Sequence, residues 1–293
     1  MNQTSRVAQP ASPARMSQEE FHKRQEAAVA SRQDLTQFTP LEPWGLPEKS
    51  DCVFYHSIDL PDGESIEAAW DIRGRFDQYI GDYPIRGKSL LDVGTASGFL
   101  SFEAEKAGAT VTSLDALTGR EFTQIPSIDS LYHTSRQAFI DATNAYLRML
   151  RNSYWYSWNK LNSRAEVVYA PLADLPFWDR KFDVVLAGAI TEHLSDPVTA
   201  VGNLTGLARE AVIIAFDPVT DSEEMTLTAF PTWKDTRPEN AYTWYSASRG
   251  LYRQLFENVG FDVEFLDSYA IPTFQGPDTL EKRTTVVARR RQA

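Results

Sequence analysis

A turn of small residues and an acidic strand end together form a candidate ligand site. Residues 90–99 read as a buried strand, a turn of small residues from Gly94 to Gly98, and the start of a helix. Small side chains let a ligand approach the backbone, and a helix start offers free N–H groups and the positive end of the helix dipole. Asp115 ends the next predicted strand, where a carboxylate can accept hydrogen bonds from both hydroxyls of a ribose. The pair therefore indicates a ligand that contains a nucleoside.

Two further segments extend this candidate site. Asp174 and Leu175 follow the third predicted strand, where the carboxylate can accept a hydrogen bond from the amino group of an adenine. The strand over 182–188 leads into Ala189 and the sequence Thr-Glu-His-Leu at 191–194. A glycine turn alone is weak evidence, because strand–turn–helix corners often need glycine for packing. The turn together with two acidic positions is more specific.

The elements that must position these residues are strands alternating with helices. Several of the strands are continuous apolar runs, as expected where a sheet is covered on both faces. The alternation favours a doubly wound, mostly parallel α/β sheet. Strands are predicted over residues 89–94, 110–115, 166–170, 183–188, 211–216, 262–268 and 284–288.

The rest of the chain divides into three predicted segments. Residues 1–50 read as an N-terminal arm with a lid helix from Ser17, and residues 51–87 as a cap ahead of the domain at 88–293. The connection over 116–165 is far longer than usual αβ loops and shows helical spacing. We interpret it as a helical insertion above the carboxyl ends of the strands, where ligands bind in open α/β sheets.

Composition and charge exclude several classes of protein. The net charge of -11 argues against nucleic acid as a partner, since phosphate binding needs clustered Lys and Arg. No apolar run reaches the roughly 20 residues of a membrane span, and the N-terminus lacks a signal-peptide pattern. Cys52 is the only cysteine and the four histidines are scattered, which predicts neither a disulfide nor a metal site. A cytoplasmic, metal-independent enzyme, monomeric or homodimeric, fits these features.

Four elements of the candidate site, in this order, closely resemble the class I S-adenosylmethionine-dependent methyltransferases. They are the turn at 94–98, the acidic strand end at Asp115, the pair Asp174–Leu175 and the segment 182–194. The resemblance covers about residue 88 to the C-terminus and implies a seven-stranded Rossmann-like sheet with one antiparallel edge strand, here 284–288. It disfavours a nicotinamide dehydrogenase, the competing use of a similar turn. It implies S-adenosylmethionine as cofactor, with Asp115 and Ala116 at the ribose, Asp174 and Leu175 at the adenine, and Ala189 on the methionine side. The same resemblance assigns the methionine portion to Asp92, Gly94, Thr95, Ala96 and Gly98.

A second likeness concerns the cap. The stretch 54–63, with Tyr55 and His56, is similar to one that precedes the domain in a bacterial methyltransferase subgroup distantly related to enzymes that modify the wobble uridine of tRNA. The acidic charge counts against tRNA as the substrate. Carboxymethyl transfer would need cationic groups for the extra carboxylate, and the sequence identifies none.

Methyl transfer depends mainly on positioning, with a base in some cases. His56 and His193 are the candidate bases, although for His193 the fold favours a structural role or a position next to the cofactor. Tyr55 is a candidate hydrogen-bond donor. The aromatic cluster at 154–158 has two interpretations: its rings pack against the sheet, or Tyr154 or Tyr156 walls a reaction chamber and attracts the sulfonium. Further candidates for binding the acceptor are Asn144, Asn152 and Trp244.

Three functional hypotheses follow from these features. The first is a methyltransferase that acts on a small molecule, in secondary metabolism. The second is a non-methylating enzyme on the same fold that cyclises S-adenosylmethionine into azetidine-2-carboxylate and methylthioadenosine. The third is a catalytically inactive protein that binds the cofactor, which intact Asp115 and Asp174 disfavour.

Overall fold

The computed structural model describes residues 17–20, 23, 38–43, 45–124, 130–229, 245–276 and 279–292. The strands are β1 Ile58–Asp59, β2 Ser65–Ile66, β3 Trp70–Asp71, β4 Ser89–Val93, β5 Thr110–Asp115, β6 Glu166–Tyr169, β7 Phe182–Gly188, β8 Ala208–Asp217, β9 Leu227–Ala229, β10 Tyr245–Ala247, β11 Phe261–Pro272 and β12 Glu281–Arg290. The α-helices are α1 Phe76–Tyr79, α2 Phe99–Lys106, α3 Leu131–Thr134, α4 Arg136–Leu161, α5 Pro197–Leu207 and α6 Arg249–Asn258. Short 3₁₀ helices span Lys49–Asp51, Gly119–Glu121, Leu172–Phe177, Thr191–His193 and Thr273–Gln275.

Within these ranges, eight strands form one sheet in the order β3-β11-β12-β8-β7-β4-β5-β6. The five strands from β8 to β6 pair in parallel. Successive side chains point to opposite faces, so Leu90 faces one buried cluster and Leu91 the other. The predicted doubly wound, mostly parallel sheet is confirmed.

Two details of the sheet differ from the prediction. The segment 284–288 is antiparallel, as expected, but β12 lies between β8 and β11 instead of at the edge. Val286, Val287 and Ala288 are fully buried, as an interior strand with apolar residues on both faces requires. The eighth strand is β3, a two-residue piece of the cap that pairs with the end of β11.

The connection at 116–165 is mainly α4, which leads from β5 to β6. Its second half is buried on all sides from Leu150 to Ser157. Tyr154 and Trp155 pack into the core against the sheet, while the Ser153 hydroxyl donates to the carbonyl oxygen of Val53 in the cap at 2.6 Å. The segment that we predicted as an insertion above the strand ends thus serves largely as the crossover helix, packed between sheet and cap.

The cap shares its hydrophobic core with the sheet. Ile72, Phe76 and Ile80 belong to the same buried cluster as Leu90 and Leu186. The division at residue 87 is therefore a boundary in chain order, with one packed core on both sides of it.

In the described part of the chain, no helix combines the length and the apolar character that crossing a membrane requires. The described residues also include no group of three or more metal-ligating side chains suited to a metal ion. The helix predicted from Ser17 lies mostly outside the described residues, although the Glu20 amide does donate to the Ser17 hydroxyl oxygen at 3.1 Å.

Candidate functional site

The turn after β4 is built from left-handed backbone. Gly94, Ala96 and Gly98 have φ values of 80°, 49° and 91°. A β-carbon on Gly94 would lie 2.6 Å from the Ile190 side chain, and one on Gly98 would lie 2.4 Å from the Phe102 ring. Gly98 is therefore required by packing against a buried ring as well as by the conformation of the turn, whereas at Gly94 the positive φ is the main requirement.

Asp115 holds this turn against the next strand. Its Oδ2 accepts a hydrogen bond from the Ala96 amide at 2.6 Å, and its Oδ1 accepts one from the Ala116 amide at 2.7 Å. The first bond helps to offset the cost of a left-handed alanine, about 1–2 kcal/mol. An ionised carboxylate offers about four acceptor positions. Two positions thus remain for ligand hydroxyls, which fits the ribose of S-adenosylmethionine.

A second carboxylate lies beneath the turn. Asp92 is fully buried, and its Oδ2 accepts from the Ser101 hydroxyl at 2.6 Å. Its Oδ1 has no hydrogen-bond partner among the described residues. Burial raises the pKa of Asp92 to about 6, and the Ser101 hydroxyl opposes that rise. A buried carboxylate with a spare oxygen suits the ammonium group of the methionine portion.

The predicted adenine residues lie on the 3₁₀ helix Leu172–Phe177. The Asp174 carboxylate is partly exposed, and burial raises its pKa. The Leu175 side chain is instead packed in the core, 1% exposed. Only the backbone of Leu175 therefore remains available for a contact with adenine.

A chamber opens at the carboxyl ends of the parallel strands, beside the turn. It has four aromatic walls, Tyr55, Trp70, Tyr79 and Phe216. Ala189, after β7, forms another part of the wall, and Ala189 and Phe216 both have left-handed backbone. Strained backbone of this kind concentrates at functional sites.

The chamber also contains a buried ion pair. The Arg283 Nη1 donates to Glu192 Oε1 at 2.7 Å, and its Nε donates to Glu281 Oε1 at 2.6 Å. The guanidinium carbon lies 4.8 Å from the Phe216 ring centroid and 5.8 Å from that of Trp70. Burial opposes the charge on Arg283, but the two carboxylates outweigh burial and hold its pKa above the usual value.

Tyr55 and His56 join the cap to this site. The Tyr55 amide donates to the Ser97 hydroxyl oxygen at 3.0 Å, which ties the cap to the turn. His56 is 8% exposed, and its Nδ1 has no partner among the described residues. Burial lowers the pKa of His56 to about 4, with a smaller opposing effect of Asp71, so that the imidazole is neutral near pH 7.

His193, the second predicted base, lies next to the chamber without being one of the residues that line it. Its Nε2 is 3.7 Å from Glu192 Oε1, and its side chain is 32% exposed. This geometry makes it a neighbour of the ion pair.

The aromatic cluster of α4 lies outside the chamber. The Tyr154 hydroxyl is within 3.0 Å of the Ser113 hydroxyl in the core, and Trp155 is packed beside it. The Tyr156 hydroxyl donates to Glu64 Oε2 at 2.7 Å, on the cap side. The interpretation in which these rings pack against the sheet and cap therefore describes the cluster better than that of a chamber wall.

The two predicted asparagines stabilise local structure. Asn144 Oδ1 accepts from the Gly119 amide at 2.8 Å. Asn152 donates to the carbonyl oxygen of Asp51 at 2.9 Å and accepts from the Gln18 amide group at 2.9 Å. Neither lines the chamber, and Trp244 lies outside the described residues.

Sequence reasoning missed the ion pair and three of the aromatic walls. Glu192 was visible only as a neighbour of His193, within the Thr-Glu-His-Leu sequence. Arg283, which supplies a cationic group that the sequence did not reveal, stands at the head of a strand that continues as Thr-Thr-Val-Val-Ala. The charged triplet Glu-Lys-Arg at 281–283, ahead of a buried apolar run, is the one local signal for it.

The strand order, the turn after β4 and the acidic end of β5 define a class I S-adenosylmethionine-dependent methyltransferase. The sequence model of a family described as a methyltransferase domain matches residues 71–265, and the chain belongs to that family. S-adenosylmethionine is accordingly its cofactor. No curated protein matched the chain.

Several solved structures are also similar to the chain. One is the magnesium protoporphyrin IX methyltransferase ChlM from Synechocystis PCC 6803 with bound SAH, with 14% identity, 74% of this chain and 80% of that chain covered, and a TM-score of 0.46. The N-terminal domain of EvdMO1, in the presence of SAH and D-fucose, has 13% identity and a TM-score of 0.46, and the match covers 93% of this chain and 97% of that chain. The pyocyanin biosynthetic protein PhzM has 20% identity and a TM-score of 0.41, and the match covers 74% of this chain and 54% of that chain.

Proposed function

We propose that the protein transfers the methyl group of S-adenosylmethionine to a small molecule held in the chamber, in secondary metabolism. The observation that carries the proposal is the chamber itself, which opens beside the turn at the carboxyl ends of β7 and β8. Its lining combines aromatic and apolar side chains with a few polar groups, among them His56 and Glu192, as is typical of small-molecule sites.

The turn and its acidic neighbours would hold the donor. In this proposal, Asp115 accepts from the ribose hydroxyls, Asp174 from the adenine amino group, and Asp92 faces the methionine ammonium. When bound, S-adenosylmethionine supplies a methyl group already activated by its sulfonium. The chain's own task is then positioning, which can supply a large part of the rate acceleration.

The chamber residues would orient the acceptor. Neutral His56, with its unpartnered Nδ1, can exchange a hydrogen bond with the reacting oxygen or nitrogen of the acceptor. Its pKa of about 4 makes it a weak base, so we assign it to positioning. Tyr55 and Trp70 would pack against the acceptor, since both line the chamber.

The contact between the cap and the turn, through the Tyr55–Ser97 hydrogen bond, supports a second candidate function. A donor site covered by the cap suits a reaction in which S-adenosylmethionine is itself the substrate and needs no acceptor. Its amino nitrogen would attack its own γ-carbon, the carbon–sulfur bond would break with its electrons on sulfur, and a proton would leave the nitrogen. The products would be azetidine-2-carboxylate and methylthioadenosine.

Product analysis separates the two functions. Purified protein is incubated with S-adenosylmethionine, alone and with a panel of small acceptors, and the products are measured by mass spectrometry. Acceptor-dependent S-adenosylhomocysteine together with a methylated acceptor supports the methyltransferase. Methylthioadenosine formed without any acceptor overturns it in favour of cyclisation. D115N serves as the control, because its loss of donor binding should abolish either product.

A further inference from the structure

One carboxylate oxygen of the chamber has no partner. Glu192 is 4% exposed, and its Oε1 is occupied by Arg283. Its Oε2 is buried and has no hydrogen-bond partner among the described residues. Leaving a buried charged acceptor unpaired costs roughly 1–3 kcal/mol or more. Glu192 lines the cavity, so a ligand in the chamber can supply the missing donor.

The charge around this oxygen is negative. Arg283 contacts two carboxylates, Glu192 and Glu281, so the three groups together carry one net negative charge. The guanidinium also lies near the rings of Trp70 and Phe216. Arg283 is thus already neutralised, and an anionic ligand would face a surplus of negative charge.

The walls of the chamber add to the same preference. Tyr55, Trp70, Tyr79 and Phe216 line the cavity; Tyr79 and Phe216 stack on each other, so Tyr55 and Trp70 are the rings best placed to meet a ligand. Aromatic faces attract a cation by about 0.5–2 kcal/mol, with the larger value at desolvated sites. An unpaired carboxylate oxygen among aromatic walls is a combination that selects positively charged nitrogen.

We propose that Glu192 Oε2 recognises a positively charged nitrogen of the acceptor, so that the substrate class is a small cationic amine. This inference rests on the proposed function, since it names the acceptor of that same site. The methionine ammonium of the donor carries the same chemistry, and the experiment must separate the two sources.

The test uses three probes of equal size and different charge. Binding of phenethylamine, 2-phenylethanol and phenylacetate to the intact protein is measured by calorimetry in the presence of S-adenosylhomocysteine. We expect the amine to bind about ten-fold more tightly than the alcohol, and phenylacetate to bind least. E192Q keeps the size of the side chain, removes its charge and should abolish the preference for the amine. E281Q removes the same charge on the other side of Arg283 and should retain most of the preference.

Several outcomes would overturn the inference. Equal affinity for the amine and the alcohol in the wild type does so, and that comparison holds even where E192Q fails to fold. An unchanged amine preference in a folded E192Q also does so. If E192Q instead loses S-adenosylhomocysteine affinity while the probes bind as before, the oxygen belongs to the donor's ammonium. Failure of the proposed function looks different: amine binding that depends on Glu192, with no acceptor methylated in the product assay.

Discussion

The amide nitrogen of Tyr55 lies 3.0 Å from the hydroxyl oxygen of Ser97 and donates a hydrogen bond to it. This bond connects the cap to the turn that lies under the proposed donor site. Ser97 is 2% exposed, so water does not readily replace it. The conformation of the cap and that of the turn are therefore coupled through one buried contact.

S97A should weaken that coupling. Loss of the Ser97 hydroxyl leaves the Tyr55 N–H unpaired in a buried position, which costs about 1–3 kcal/mol of unfolding free energy. Urea denaturation measures this loss, and limited proteolysis should show faster cleavage in the cap. S65A is the matched control, since the Ser65 hydroxyl bonds to Asp59 at the surface and its removal should cost little. Equal stability of S97A and S65A would contradict the prediction.

D115N should bind S-adenosylhomocysteine about 100-fold more weakly than the wild type. An asparagine has only one acceptor oxygen and cannot receive the amides of both Ala96 and Ala116, so the turn loses its anchor. The ribose hydroxyls lose charge-assisted hydrogen bonds as well. Isothermal titration calorimetry gives the affinity. D141N, on the exposed face of α4, is the control. A D115N affinity within three-fold of wild type would show that Asp115 does not bind the donor.

D92N should stabilise the ligand-free protein and weaken its binding of S-adenosylhomocysteine. Because burial raises the Asp92 pKa to about 6, the folded state loses stability as pH rises from about 4 through 6. Removal of the carboxylate should therefore raise the unfolding free energy by up to roughly 3 kcal/mol at pH 8, with no gain below pH 4. Thermal unfolding across pH measures this, with D77N at an exposed site as control. Unchanged S-adenosylhomocysteine affinity in D92N would show that Asp92 does not contact the methionine ammonium.

H56Q should reduce the acid sensitivity of the fold. Burial lowers the His56 pKa to about 4, below its unfolded value of 6.5. The unfolded chain therefore binds the proton first, and stability is lost as pH falls from about 6.5 to 4. The difference in unfolding free energy between wild type and H56Q should shift by roughly 2–3 kcal/mol between pH 7 and pH 4.5. Denaturation at both pH values tests this, and a constant difference would show that His56 is not buried in its neutral form.

The strands and the turn were predictable because their signals are local. Residues 89–94 and 110–115 are short segments rich in β-branched and apolar residues between helical patterns, and the observed β4 and β5 match them to within one residue. The position of Asp115 at the end of β5 follows as soon as the boundary of that strand is predicted correctly. The position of β12 was not predictable in this way, since an apolar strand reads the same whether it lies at an edge or between two neighbours.

The chamber could not be read from the sequence because its residues come from separate elements. Tyr55, Trp70, Glu192 and Arg283 lie far apart in the chain and meet only through the sheet order. The dense aromatic cluster of α4 was the strongest local signal, and it reflects a helix buried on all sides. Asn144 and Asn152 show the same principle, since polar residues in a long helix here satisfy neighbouring backbone groups.

The interior position of β12 has a consequence for synthesis of the chain. The ribosome makes the other seven strands of the sheet first, so β8 and β11 emerge before the strand that separates them. Until β12 arrives, both present open edges that are able to pair with the wrong partner or with another chain. Because β12 also carries Arg283, the Glu192 carboxylate meets its counter-ion only in the final stage of folding. The nascent protein should therefore depend most on chaperones in the interval between synthesis of β11 and synthesis of β12.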